Sequence, residues 1–123
     1  MRFMLLVKAS PKAEAGYPAI PGLEDAMSRY NEELEAAGVR VMAEGLQPTS
    51  TGMRISFPDP GGAPVVTHGP FPHPTEQVAG FILIDVANRE EAIRWAMKMP
   101  DPHGNGEGQI ELRQLYVWDE ETG

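Results

Sequence analysis

The chain has 123 residues, no cysteine and a formal net charge of -8, with a pI near 4.8. That length fits one domain, 1–123, with room for a core; the missing cysteine excludes disulfides, thiolate catalysis and cysteine-held zinc. Ten Lys and Arg scattered among eighteen Asp and Glu make no basic patch, which argues against nucleic acid and anionic membrane surfaces as partners.

Residues 2–8 alternate Phe3, Leu5 and Val7 with Met4 and Leu6, so both faces are apolar, as in a central strand. The run is too short for a signal-peptide core and no small-residue cleavage site follows it. Nothing approaches the roughly 20 apolar residues of a membrane span. Residues 9–21 carry Ser10-Pro11, Tyr17-Pro18 and Pro21 and read as a loop. From Pro21 to Ala37, Leu23, Met27, Tyr30, Leu34 and Ala37 form one apolar stripe, which predicts a helix. Glu24 and Asp25 complement its dipole and Gly38 ends it.

Residues 39–43 predict a second strand leading into Glu44-Gly45. Residues 53–57 and 64–67 form a hairpin around the turn Pro58-Asp59-Pro60-Gly61-Gly62. The Pro-rich connection 69–77 runs into a strand at 80–86. Asn88 caps a second helix, with Glu91 in capping-box register, an inner face of Ala92, Trp95, Ala96 and Met99, and Pro100 as its end. Residues 101–108 are a loop, 110–118 a last strand, and the acidic tail frays.

The order β-α-β, hairpin, β-α-β implies a ferredoxin-like α+β fold with an antiparallel sheet. Two helices cover one face only, yet strands 3–7 and 81–86 are apolar on both, so a homodimer with facing sheets is expected. The alternative is that the insertion 49–68 folds back over the bare face.

Candidate chemistry gathers near that sheet. His68 either acts as general acid or base or caps loop carbonyls at a strand end. Glu44 either orients a histidine or ligand or is a solvated strand-end acid. Asp85 follows an apolar run, which suggests partial burial; its other reading is a carboxylate bonded to backbone near the next helix. The rigid turn Gly69-Pro70-Phe71, with Glu76 beyond it, supplies ligand-binding candidates, with Phe71 anchoring the loop. His68, His73, Glu76 and His103 match no metal spacing, so no metal is expected, and no cofactor motif is visible. The alternating glycines 104, 106 and 108 follow a helix and precede a strand, the wrong context for a phosphate cradle.

Several segments together resemble the YCII-related family, in its branch often called DGPF-domain proteins. They are Met4-Leu5-Leu6, Glu33 to Val39, Glu44-Gly45-Leu46-Gln47-Pro48, Gly69-Pro70-Phe71, Glu76-Gln77, Gly80-Phe81, Glu91 to Ala96 and Ile110-Glu111-Leu112-Arg113. The resemblance implies a dimeric α+β barrel and, for some relatives, an association with extracytoplasmic-function sigma factors. The broader group has a His and an Asp proposed as catalytic. Here His68 stands where the branch commonly has Asp, and no role is carried over to it. The function expected is binding of an unknown small molecule in a cytoplasmic protein, with acid–base chemistry of isomerase, lyase or hydrolase character. The alternative is a non-catalytic regulatory or interaction module.

Overall fold

A computed structural model describes residues 1–117. Trp118, expected to end the last strand, and the tail expected to fray lie outside the described residues. The elements run β1 (Arg2–Lys8), α1 (Pro11–Glu14), α2 (Leu23–Ala36), β2 (Arg40–Gly45), β3 (Met53–Ser56), β4 (Val65–His68), β5 (Val78–Asp85), α3 (Arg89–Lys98) and β6 (Ile110–Gln114). Four strands form one antiparallel sheet in the order β2-β5-β1-β6, and β3 and β4 form a separate two-stranded hairpin. This is the ferredoxin-like arrangement, with the hairpin inserted between β2 and β5.

The helix α1 is a correction to the loop expected at 9–21. Ser10 is buried and its Oγ accepts from Ala13 N at 3.1 Å, with Pro11 at the first helical position. Serine followed by proline serves a helix start as well as a turn. The expected cap on α3 forms, Asn88 Oδ1 accepting from Glu91 N, but the returning bond of the capping box is displaced by one residue: Glu91 Oε2 accepts from Ala87 N rather than from the cap itself.

Register partners share a sheet face, so the pairings sort the side chains. One face carries Phe3, Leu5, Ile82 and Ile84, all buried. They meet Tyr30 and Leu34 of α2 and Ala92 of α3 in the core. Tyr30 Oη donates to the Trp95 carbonyl at 2.6 Å. That oxygen is among the last four of α3, which lack helical partners, so α2 caps α3. Burial, then the nearby Glu33 carboxylate, push the Tyr30 hydroxyl well above its ordinary pKa.

The other face carries two rows across the sheet, Met42-Leu83-Met4-Arg113 and Glu44-Phe81-Leu6-Glu111. Its centre is apolar and its margins charged, and no helix lies in register with it. The hairpin residues of β3 and β4 are all exposed, including Met53, Ile55, Val65 and Val66.

The loop 101–108 is organised by Asp101. Its carboxylate accepts from His103 N at 2.9 Å and Gly106 N at 2.7 Å. The His103 amide, against the cost of burial and with help from the Gly106 and Gly104 amides and the His103 ring, holds the carboxyl below its ordinary range.

Three outcomes follow from these contacts. Leu34→Ala should cost about 2–5 kcal/mol, as a large-to-small change in a filled core does. Tyr30→Phe should cost about 1–3 kcal/mol by orphaning the Trp95 carbonyl; urea unfolding reads both, and a neutral Tyr30→Phe would mean that the cap contributes nothing. Because folding favours ionised Asp101, its contribution is complete above the ordinary aspartate range and fades as pH falls through the depressed value. The difference in melting temperature between the native chain and Asp101→Asn should therefore narrow in acid, and a gap independent of pH would refute the role.

Candidate functional site

The end of the sheet where β2 finishes and β5 begins is opened by two glycines paired across the strands, Gly45 and Gly80. A Cβ on Gly80 would stand 3.0 Å from the Glu44 carbonyl oxygen and 3.4 Å from Gly45 Cα. The close approach of the strands therefore favours glycine there, since any Cβ would press on the β2 backbone. Beside this pair a cavity of about 310 Å³ lies between α2 and the sheet. Its walls mix apolar groups, Val7, Met27 and Ile82, with Asn31, Arg40 and atoms of Glu44.

Arg40 reaches this side of the sheet because the register slips between Arg40 and Met42. A bulge of this kind re-aims a side chain. Arg40 Nε then donates to Asn31 Oδ1 at 3.1 Å, and its Nη1 to Glu35 Oε1 at 3.2 Å. Asn31 is itself fixed by donating from Nδ2 to the Met27 carbonyl at 3.0 Å. The guanidinium is thus held flat against α2, with further N–H groups left over for an anionic or carbonyl ligand.

The connection 69–77 is fastened by side chains, as its prolines require. Thr49 is the central fastener. Its N donates to Glu14 Oε2 at 2.9 Å, its Oγ1 donates to Glu14 Oε1, and the same Oγ1 accepts from Phe71 N at 3.0 Å. Gly69 lies so close to this segment that a Cβ would fall 1.6 Å from the Thr49 carbonyl oxygen. Gly69 N also donates to the Gly52 carbonyl, and the Gly69-Pro70 bond is cis. Phe71 is half-buried and anchors the loop to the hairpin, where the Arg54 guanidinium stacks 3.9 Å from its ring centre. Gln77 accepts from Arg54 and donates to the Pro72 carbonyl.

The expected site residues are distributed as follows. Glu44 contributes to the cavity and shares a row with Phe81 on the opposite sheet face. His68 is the last residue of β4, exposed, opposite Met53. Gly69, Pro70 and Phe71 lie in the fastened turn. Glu76 ends a single 3₁₀ turn, where its carbonyl accepts from Lys8 Nζ at 3.0 Å. Asp85 lies at the far end of β5, exposed rather than partly buried, and pairs with the Met1 ammonium at 3.2 Å and with Arg2. Glu44, at the end of β2 beside the start of β5, and Asp85, at the end of β5, are therefore at opposite ends of the sheet. Among the described residues no three His, Asp or Glu side chains converge as metal ligands would, and no helix is long and apolar enough to cross a membrane.

Arg40, Asn31 and the Glu14–Thr49 pair escaped the sequence reading. Arg40 sits in a stretch whose plain alternation turns it outward, and nothing in the order of residues marks the bulge. The recurrence of glycine at 45 and 80, each at the end of an apolar strand, was the available signal.

No curated protein matches the sequence. The family model for the YCII-related domain matches residues 1–119, nearly the whole chain, and the ferredoxin-like sheet described above is the architecture that the sequence resemblance implied. The chain belongs to the YCII-related domain family.

Proposed function

We propose that the protein is a homodimeric small-molecule-binding protein, with the ligand held in the cavity between α2 and the ends of β2 and β5. The observation that carries this reading is the braced Arg40 beside the glycine-paired floor. A charged donor is fixed by Asn31 and Glu35 at the wall of a cavity that mixes polar groups with Val7, Met27 and Ile82, and small-ligand sites use such fixed polar groups to set orientation. Under this reading proton transfer, of isomerase, lyase or hydrolase character and with no cofactor, is given to Glu44, whose atoms border the cavity, and to His68, which does not line it. Gly69, Pro70, Phe71 and Glu76, also outside the cavity lining, are assigned to an outer rim. Asp85, occupied with the amino terminus, enters only as an anchor. A cytoplasmic setting suits a chain without cysteine.

The dimer rests on the uncovered sheet face. Met4, Leu6, Phe81 and Leu83 form an apolar centre, with Glu44, Glu111 and Arg113 at its margins. An apolar centre with a charged rim is the anatomy of a protein interface, and a second copy laid across it by a two-fold axis satisfies both chains at once. One feature favours a different reading, a regulatory or interaction module that engages a protein such as a sigma factor: the hairpin exposes Met53, Ile55, Phe57 and Val66, and exposed apolar side chains grouped on one element suit a protein contact.

Light scattering of a dilute solution should give twice the chain mass of 13.4 kDa. Leu83→Glu, which sets a carboxylate in the centre of the apolar face, should give the single-chain mass with helix content retained. A native chain that is monomeric at micromolar concentration would sink the dimer. Native mass spectrometry of freshly purified protein should show a co-purified small ligand. His68→Ala at unchanged stability then separates the two readings. Lost turnover of the bound metabolite supports the enzyme, whereas intact ligand binding with a lost protein partner supports the module.

A further inference from the structure

On a chain of net charge -8, the cavity beside α1 is lined by no acid. It encloses about 180 Å³ and shares only Pro102 with the larger cavity. Of the three acids that adjoin lining residues in sequence, Glu24 does not line the cavity, Glu14 holds Thr49, and Asp101 holds the amides of its own loop. What remains at the rim are Lys12, Tyr17 and Asn105, with His103 beside them. Lys12 has no acid partner among the described residues.

His103 is the best-defined group of this set. Its Nε2 lies 2.6 Å from the Lys8 carbonyl oxygen, which can only accept, so Nε2 carries a proton. Nδ1 makes no hydrogen bond among the described residues. A carbonyl that fixes one ring nitrogen sets the orientation of the ring and the role of the other nitrogen. Facing a carboxylic acid, Nδ1 and the acid share one proton between them, and either placement gives a hydrogen bond: N–H to carboxylate, or acid O–H to the bare nitrogen.

The remaining wall is apolar, from Pro18, Ile20, Leu23 and Pro102. Gly104 shapes that wall: its φ of 75° favours glycine, and a Cβ there would stand 2.5 Å from Ile20 Cδ1 and push the Ile20 side chain aside. The volume is below the ~300 Å³ at which pockets for drug-sized ligands begin, so the ligand is small.

The geometry points to a second ligand site here, for a small carboxylic acid with an apolar ring or branched body, its carboxylate between His103 and Lys12. This goes beyond the larger cavity and stands or falls separately from it. Benzoate is a suitable probe. Titrated into the full-length protein and followed by NMR, it should saturate at millimolar concentration and shift the signals of His103, Ile20 and Leu23. His103→Gln should weaken binding about tenfold, the loss of one charge-assisted hydrogen bond. Lys12→Met, an exposed change that leaves the fold alone, should weaken it several-fold. Three results would overturn the site: no saturation by benzoate, shifts confined to Met27, Asn31 and Arg40, or an affinity that Lys12→Met leaves unchanged.

Discussion

The sheet has two apolar faces and helices for one. Phe3, Leu5, Ile82 and Ile84 are removed from water by α2 and α3. Their neighbours Met4, Leu6, Phe81 and Leu83 point the other way and are only partly covered. Apolar burial is worth roughly 25 cal/mol per Å², so the bare face carries a driving force that the folded chain leaves unspent. The alternation that makes β1 and β5 central strands is the same feature that creates this second surface. A chain built this way cannot gain the first without exposing the second.

Function then separates along the strands. One end of the sheet is closed by the amino terminus, whose ammonium donates to the Val86 carbonyl at 2.7 Å and pairs with Asp85. The other end is loosened by glycine. Gly80 lets β2 and β5 approach beside the larger cavity, Gly69 brings the proline-rich turn onto Thr49, and Gly104 admits Ile20 to the smaller cavity. Each close approach replaces a side chain by space or by backbone; Lys12 and His103 border the smaller cavity at that end, while Arg40, paired with Ile84 at the start of β2, reaches the larger cavity from the other. The asymmetry is physical: tight ion pairing where the chain must be held, missing side chains where a ligand can enter.

Periodicity made the main elements legible. The stripe Leu23, Met27, Tyr30, Leu34 marks α2, and Asn88 with Glu91 marks the start of α3, because both signals are local. α1 was hidden because Ser10-Pro11 suits a turn as well as a helix start, and only the burial of Ser10 decides between them. Arg40 was hidden for a deeper reason. Plain alternation through Val39, Arg40 and Val41 turns the arginine to the face away from α2, and the register slip that reverses it depends on pairing with β5, some forty residues later. Asp85 was misjudged in the same way: its partner is the amino terminus, which only the fold brings beside it. His68 ends β4 at the base of the hairpin, exposed and opposite Met53, and does not line the cavity that Glu44 borders.

The hairpin links the two surfaces. A two-stranded ribbon alone is marginal in water, and β3 and β4 bury none of their residues. What holds it is its base. There Arg54 stacks on Phe71 and bonds to Gln77, and Gly69 donates to Gly52. Those same contacts fix the 68–77 turn. Thr49 carries the restraint onward, since it bonds both Phe71 and Glu14 of α1, the helix beside the smaller cavity. Whatever covers the exposed apolar residues of the hairpin therefore acts on a base shared with the proposed rim of one site and, through one threonine, on the helix that borders the other. Contiguity of this kind does not prove energetic coupling. Thr49, which touches no proposed ligand, is one link in that path, beside the bonds from Ala9 N to the Gln77 carbonyl and from Lys8 Nζ to the Glu76 carbonyl.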